Sequence, residues 1–293
     1  MLAVGCAGRQ VLIEAREARM RRAIAAAFGQ ACQPVQGNPV GRLTLRRVRH
    51  GYAVLGGCEP NGVDGTLADA LRSLRYQATL HLMAVRPDLV WLHAAAVARD
   101  GQALLIAGPG GSGKSSLATE LVGLGFRYLG DDVIPLDPVT AIAYPFPVTP
   151  TVRSRPSGPI PRKAVANLPR FEVALDAIRV APGPVPVGLV VFPGYAKRLG
   201  EIRPWPPART AVDLIRHCLN FKQHGEHMVR ALCSRAATWP AVGLRFDDAA
   251  RAAAVLAAAV AESGPQRESL RHRTNPAAAT MPPPSAMSSS SHW

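Results

Sequence analysis

The spacing of apolar and polar residues changes along the chain, and each change of period predicts a different element. In residues 11–28 apolar positions recur at helical spacing between arginines, which predicts an amphipathic helix. Residues 42–48 and 51–55 alternate with period two and predict an antiparallel hairpin. From residue 67 the helical period returns behind the capping hydroxyl of Thr66, so we expect a helix that ends before Pro87.

Two apolar runs, at residues 91–98 and 102–107, enclose the turn residues Asp100 and Gly101 and predict a second hairpin. Prolines scattered between residues 135 and 161 predict a long loop-rich section. We expect further helices at residues 116–122, 210–219 and 247–261, and strands at residues 126–129 and 187–193.

These elements together predict an α/β fold with a mixed sheet. Residues 1–89 would form an N-terminal lead-in of helix, β-hairpin and helix packed on the core. Residues 90–262 would form the core itself. Residues 263–293 are rich in Pro, Ser, Thr and Arg with little apolar content, which predicts a disordered tail.

The net charge of +14 raises the question of a nucleic-acid partner. Only Lys114, Lys163, Lys197 and Lys222 are lysines among the 34 basic residues, and this arginine excess is typical of a compositional bias of the source. Because no nucleic-acid-binding motif accompanies the charge, we expect no nucleic-acid partner. An acidic ligand such as a nucleotide, or an acidic protein partner, is compatible with the same charge.

Membrane insertion and secretion are not expected. No apolar stretch approaches the roughly 18 residues of a membrane span, and the N-terminus lacks the regions of a secretory signal. The five cysteines are scattered without metal-ligand spacing, as in a protein with reduced thiols. The sequence therefore predicts a cytoplasmic protein, and it leaves open whether the chain forms a homo-oligomer.

The most informative stretch is the glycine-rich run at residues 108–115, which fits the phosphate-binding pattern G-x-x-x-x-G-K-[ST] at every specified position. Backbone N–H groups in such a loop point inward at phosphate oxygens, and the following helix presents its positive end to them. Lys114 would reach the outer phosphates and Ser115 would hold Mg²⁺. The residues expected to bind the nucleotide are Gly108, Pro109, Gly110, Gly111, Ser112, Gly113, Lys114, Ser115 and Ser116.

Two further features lie near this loop in the predicted fold. Asp131 and Asp132 follow the next strand, with Asp131 17 residues after Lys114, and the pair could supply a magnesium ligand and a base. The alternative for the pair is an ordinary acidic turn. His93 lies in the strand beside the loop's own strand, where it is either a site residue or a buried core histidine. We interpret His217, His224 and His227 as surface residues because Gly225 opposes a metal-binding helix.

The segments around His93, the loop, and residues 125–132 together resemble the catalytic core of the HPr kinase/phosphorylase family, and more closely the HPr-kinase-related proteins of bacteria. A fainter similarity exists to ATP-dependent phosphoenolpyruvate carboxykinase. The resemblance implies a P-loop kinase core with ATP and Mg²⁺. It also implies that Asp131 is the base toward a serine hydroxyl, that Asp132 and Ser115 hold the metal, and that His93 lines the site with Lys114.

The sequence thus predicts an ATP-dependent kinase that phosphorylates a hydroxyl, with serine of a small protein or peptide as the expected acceptor. An arginine between Arg153 and Arg162 could stabilise the transferring phosphoryl group. Two alternatives stay open at this point. One is a small-molecule kinase, and the other is a nucleotide-binding regulatory module with little catalysis.

Overall fold

The protein is described here by a computed structural model, which covers residues 1–59, 63–153, 170–196 and 202–262. Within those residues the chain is a mixed α/β fold with six α-helices and seventeen strands. The helices are α1 (Ala18–Phe28), α2 (Leu67–Val85), α3 (Lys114–Gly123), α4 (Pro207–Arg216), α5 (Phe221–Thr238) and α6 (Ala249–Glu262). The strands are β1 (Leu2–Cys6), β2 (Arg9–Glu14), β3 (Cys32–Gln33), β4 (Gly41–Val48), β5 (Gly51–Leu55), β6 (Val63–Asp64), β7 (Val90–Leu92), β8 (Ala94–Arg99), β9 (Gln102–Ala107), β10 (Arg127–Gly130), β11 (Ile134–Asp137), β12 (Ile142–Ala143), β13 (Thr151–Arg153), β14 (Arg170–Glu172), β15 (Val185–Tyr195), β16 (Ile202–Pro204) and β17 (Ala241–Phe246).

The N-terminal residues form a six-stranded sheet in the order β3-β1-β2-β4-β5-β6, covered by α1 and α2. Met20, Ile24 and Phe28 of α1 are buried against Leu74 and Leu82 of α2 and the inward residues of the strands. This apolar cluster also includes Trp91, Phe146 and Val148, so the N-terminal sheet packs against residues that follow it in the chain. The division of the chain at residue 89 stays a prediction.

The second sheet has nine strands and positions the candidate site. Its centre consists of the parallel strands β9, β15 and β17, in that order. The neighbours β8 and β16 pair antiparallel with β9 and β17, respectively. Because the carboxyl ends of parallel strands meet at one edge, the loop after β9 lies beside the ends of β15 and β17.

The two faces of this sheet are buried by different helices. Alternate residues of β9 point to opposite sides, as a period-two strand requires. Ala103, Leu105 and Ala107 lie with α4 and α5, whereas Leu104 and Ile106 lie with α3 and α6. The near-continuous apolar sequence of β9 follows from this burial on both faces.

Several predicted elements are confirmed. The hairpin at residues 41–55 is β4–β5. The predicted helix after Thr66 is α2, where the Thr66 hydroxyl accepts a hydrogen bond from the Asp69 backbone N–H at 3.1 Å. The predicted strand at residues 187–193 lies within β15, and the closing helix is α6.

The predicted helix at residues 11–28 is wrong in its first half, because residues 9–14 form β2 and pair with β1. Ala7 and Gly8 both have positive φ, 49° and 75°, as in the two-residue turns that suit a hairpin. The N-terminal lead-in is therefore a hairpin, a helix, a second hairpin and a second helix, with the short strands β3 and β6 between them.

Two other expectations also need correction. The apolar run at residues 91–98 is not one strand, because it breaks at His93 and its first part, β7, pairs with β11 instead of β9. The proline-rich section contains the short strands β11 to β13, and its residues 154–161 lie outside the described part of the chain. The predicted disordered tail, residues 263–293, lies outside it too. No helix among the described residues is long and apolar enough to cross a membrane.

Candidate active site

The loop from Gly108 to Gly113 leaves the carboxyl end of β9 and enters α3 directly. Gly111 and Gly113 have φ of 80° and 101°, a region that glycine adopts without steric cost. A Cβ on Gly113 would lie 2.6 Å from Cζ of Phe246, so a side chain does not fit there. The Ser112 N–H donates to the Pro109 carbonyl at 3.1 Å and closes the turn.

Lys114 is the first residue of α3 and is 5% exposed. Its ammonium group donates to the Gly108 carbonyl at 2.8 Å and to the Pro109 carbonyl at 3.3 Å. It also donates to Nε2 of His93 at 3.1 Å. Burial lowers the pKa of Lys114, and the nearby carboxylates of Asp131 and Asp132 oppose that shift.

His93 lies in the one-residue break between β7 and β8, and both ring nitrogens have partners. Nδ1 is 3.0 Å from the Asp132 carbonyl, which can only accept, and Nε2 faces the Lys114 ammonium, which can only donate. These partners select the neutral tautomer with the proton on Nδ1. Burial and the charge of Lys114 lower the pKa of His93, in agreement with a neutral ring.

The backbone around His93 is attached to the connection between α4 and α5. The His93 N–H donates to the His217 carbonyl at 2.7 Å, and the Leu219 N–H donates to the Trp91 carbonyl at 2.7 Å. Leu92 and Cys218 pair between these two bonds as an antiparallel bridge. The connection thus lies along β7 like an additional strand.

Asp131 follows β10 and is 5% exposed. Within the described residues, neither of its carboxylate oxygens makes a hydrogen bond of normal geometry. Burial, together with the neighbouring Asp132 charge, raises the pKa of Asp131 to about 7. The Ser115 hydroxyl lies close enough to favour the ionised form and to lower that pKa, but its effect is smaller than that of burial.

Asp132 differs from its neighbour because it is exposed and has a φ of 67°. This left-handed conformation is uncommon for a residue with a side chain, although aspartate tolerates it better than most. It turns the Asp132 carbonyl toward His93. The two aspartates therefore lie in different environments, one dry and one in contact with solvent.

The serines of the loop and of the first turn of α3 are also near these groups. Ser112 is buried, and its hydroxyl has no hydrogen-bond partner in the described part of the chain. Ser115 and Ser116 are half-buried. The loop residues, Lys114, Ser115, His93, Asp131 and Asp132 are thus brought together at the carboxyl edge of the central sheet.

Two of the three histidines interpreted as surface residues are half-buried. His217 is half-buried rather than a surface residue, with its ring centroid 6.4 Å from that of His93. Burial and the charge of Lys114 lower its pKa. His224 is also held in place, because its ring bonds to the Asn220 amide and faces the Leu89 carbonyl. His227 is exposed, as expected, and α5 continues through Gly225 with a kink at φ 54°.

Of the arginines expected to contact a phosphoryl group, Arg153 is described and Arg155 and Arg162 lie outside the described residues. Arg153 ends β13, and its Nε is buried without a hydrogen-bond partner among the described residues. Its charge is near enough to lower the pKa of Lys114. The described residues thus place one guanidinium group within electrostatic reach of the site.

A metal ion would have few protein ligands here. No group of three or more His, Cys, Asp or Glu side chains that could hold a metal exists in the described residues. Mg²⁺ is typically held by one or two protein oxygens together with phosphates and water. The Ser115 hydroxyl and the two neighbouring carboxylates are hard oxygen donors of this kind, so the residues present fit Mg²⁺.

The comparisons with known proteins give a weak similarity at the level of structure. No protein-family model matches the sequence, and a search of curated proteins finds no match. Among solved structures, the chain is similar to the Hpr(Ser) kinase/phosphatase from Coxiella burnetii with 16% identity and a TM-score of 0.32. The match covers 61% of this chain and 98% of that chain. At this similarity no residue role passes from the neighbour to this chain.

Proposed function

We propose that the protein is an ATP-dependent kinase that transfers the γ-phosphoryl group of ATP to a hydroxyl. The observation that carries the proposal is the buried, unpaired Asp131 carboxylate, which lies beside Ser115 and within the field of Lys114. An unpaired buried carboxylate is costly to fold, and it is useful where a substrate completes its hydrogen bonds. The proposed acceptor is a serine of a small protein or peptide, as the sequence resemblance implies.

The loop would hold the nucleotide phosphates through its backbone. Its left-handed glycines give the curvature that lets successive N–H groups converge, and α3 begins immediately after it. Lys114 now bonds to two neutral carbonyls of the loop. A phosphate oxygen is a stronger partner for an ammonium group than a carbonyl is, so we expect Lys114 to exchange these bonds for phosphate contacts.

Ser115 and Asp132 would hold Mg²⁺. When bound, the ion would neutralise part of the negative charge on the phosphates. Asp132 suits this role because its carboxylate is exposed beside the loop. His93 positions Asp132 by donating a hydrogen bond from Nδ1 to its carbonyl, and it orients Lys114 through Nε2.

Asp131 would act as the base. A carboxyl with a pKa of about 7 is partly ionised at neutral pH and binds a proton well, which are the properties a base needs. In the transfer, the acceptor O–H bond breaks and its oxygen forms a bond to the γ-phosphorus. The bond from that phosphorus to the β-phosphate oxygen breaks, ADP leaves, and the proton passes to Asp131.

A lysine pair in this chain offers a matched test. Lys114→Met removes the ammonium group at the loop, and Lys222→Met removes an exposed one at the start of α5. With γ-labelled ATP, Mg²⁺ and a mixed panel of serine peptides and hydroxyl metabolites, we expect label transfer or slow ATP hydrolysis by the wild type and by Lys222→Met. We expect a loss of roughly 10³-fold in Lys114→Met, because phosphate stabilisation is the main catalytic contribution in such sites.

If the folded wild type forms neither ADP nor labelled product, the protein is not a kinase. Tight ATP binding under the same conditions would then support a nucleotide-binding regulatory module.

A further inference from the structure

A cavity of about 370 Å³ opens beside the first two residues of the loop. We call it the arginine cavity, because the three arginines Arg203, Arg209 and Arg245 line it. The rest of its wall includes Phe192, Trp205, Asp213 and His217, together with Gly108 and Pro109. Its volume is in the range that binds a small molecule or a few side chains of a peptide.

The arginine cavity lies on the side of the central sheet away from α3. Phe192 and Trp205 belong to the apolar cluster under α4 and α5, whereas α3 packs on the opposite cluster. Only the first two loop residues, Gly108 and Pro109, reach the cavity wall. The remaining loop residues and the N-terminus of α3, which the nucleotide phosphates would use, do not line it.

A continuous row of side chains connects the arginine cavity to Lys114. His217 is in the cavity wall, its ring centroid is 6.4 Å from that of His93, and Nε2 of His93 is 3.1 Å from the Lys114 ammonium. A ligand in the cavity therefore lies next to the position that we propose for the terminal phosphate.

The charge of the residues that line the arginine cavity indicates which kind of ligand it binds. Among the described residues, the cavity wall holds three arginines and one carboxylate, that of Asp213, which lies 3.8 Å from Nε of Arg209. Burial lowers the pKa of His217 and favours its neutral ring. The net positive wall attracts an anion and disfavours a cation.

The wall is also preorganised. The Arg209 guanidinium stacks over the Trp205 ring at 3.7 Å from the centroid, and the Trp205 indole N–H donates to Asp213 Oδ2 at 3.0 Å. Trp205 in turn stacks on Phe192 with centroids 5.3 Å apart. A planar guanidinium fixed in this way suits bidentate contact with a carboxylate.

We propose that the arginine cavity binds a carboxylate of the phosphoryl acceptor, so that the acceptor is an acidic hydroxyl compound. This inference rests on the proposed kinase function. The same chemistry has two sources, an acidic residue next to a serine in a peptide, or a free hydroxy acid. Lys114 and Asp131 would serve either acceptor in the same way.

Two matched pairs of probes distinguish an acidic peptide from a free hydroxy acid. The first pair is a serine heptapeptide flanked by glutamates and its counterpart flanked by glutamines. The second pair is glycerate and glycerol. Binding to the full chain is measured by calorimetry in the presence of Mg²⁺ and a non-hydrolysable ATP analogue. We expect at least one acidic probe to bind roughly tenfold or more tightly than its neutral partner, and the pair that does so identifies the source.

Variants localise the effect. Arg203→Gln combined with Arg245→Gln should abolish the preference for the acidic probe. The control Arg251→Gln, on the exposed side of α6, should keep it. Affinity for the ATP analogue should change less than twofold in each variant. On the wild type alone, raising the salt from 50 to 300 mM should weaken the acidic probe and leave its neutral partner nearly unchanged.

Three results would overturn the inference: equal binding of acidic and neutral probes, a preference that survives the double substitution, or competition between the acidic probe and the ATP analogue. Lys114-dependent ATP turnover, measured in parallel, separates the two proposals. If turnover is present and the preference is absent, only the inference about the arginine cavity fails. If turnover is absent, the kinase proposal fails on its own evidence.

Discussion

The N-terminal region and the candidate site both bury polar side chains, but they differ in whether those side chains have hydrogen-bond partners. Gln10 donates to the Pro34 carbonyl at 2.8 Å and accepts from the Gln36 N–H at 2.7 Å. Gln77, which is fully buried, donates to the Glu59 carbonyl at 3.1 Å and accepts from the Glu59 N–H at 3.3 Å. In the N-terminal region these amides attach loop residues to β2 through Gln10 and to α2 through Gln77.

At the site, by contrast, Ser112 and Asp131 are buried and unpaired within the described residues. An unsatisfied buried polar group costs about 1–3 kcal/mol of stability. A chain that satisfies its amides elsewhere and leaves these groups unpaired at one edge indicates a place where a ligand supplies the missing partners. Substitutions in the two regions should therefore have different consequences for activity and for stability.

Asp131→Asn should reduce phosphoryl transfer by roughly 10²–10⁴-fold, because the amide cannot accept the hydroxyl proton. Single-turnover rates with labelled ATP measure this directly. The matched control is Asp100→Asn, in the exposed β8–β9 turn, which should transfer at the wild-type rate. If folded Asp131→Asn retains more than a tenth of the wild-type rate, Asp131 is not the base.

Gly113→Ala should lower the free energy of unfolding by about 3 kcal/mol, because the new methyl group meets the Phe246 ring and φ is 101°. Any folded fraction should bind ATP weakly. Gly110→Ala is the control in the same loop, since a Cβ there has no neighbour within 4 Å. Chemical denaturation of both variants measures the difference. Equal stabilities would show that the loop at residue 113 is not confined by Phe246.

Gln77→Met should cost about 1–3 kcal/mol of stability, because the Glu59 backbone groups lose their partner inside the protein. Phosphoryl transfer per folded molecule should stay unchanged, since Gln77 lies in α2, which packs on the N-terminal sheet. Gln223→Met, on the exposed side of α5, is the control and should be neutral. A loss of transfer without a loss of stability would contradict the contrast between the two regions.

The smallest effect is the pH dependence of stability due to Asp131. Its pKa in the folded protein is about 7, above the ordinary value of 3.8, so between these values the folded state binds a proton that the unfolded state has lost. Stability from this group therefore decreases as the pH rises, by up to about 1.4 kcal/mol per unit. Relative to Asp131→Asn, the wild type should lose about 1 kcal/mol between pH 5.5 and 6.5. A difference that is flat over this range would show that Asp131 ionises at an ordinary pKa.

Much of the site could be predicted because its residues are close in sequence. The loop, Lys114, Asp131 and Asp132 all lie within about 25 residues, and each element between them is short and strongly patterned. A local motif therefore predicted which residues the fold brings together. Their chemical roles stay predictions.

The missed features depend on distant contacts or on unusual backbone. His217 reaches His93 only through the pairing of its connection with β7, which no local period reveals. The β1–β2 hairpin was missed because Ala7, rather than Asn or Gly, occupies a left-handed turn position. α5 was missed because Gly225 and two histidines weaken its helical pattern, and tertiary packing of Met228 and Leu232 compensates.

The attachment of residues 217–219 to β7 has a mechanical consequence. Two backbone bonds of 2.7 Å flank the Leu92–Cys218 bridge, so a rigid displacement of α4 carries the His93 main chain with it. Nε2 of His93 also faces the Lys114 ammonium group, so that movement would lengthen or break the His93–Lys114 hydrogen bond. A displacement at the far end of α4 would therefore change the position of the Lys114 ammonium group at the loop.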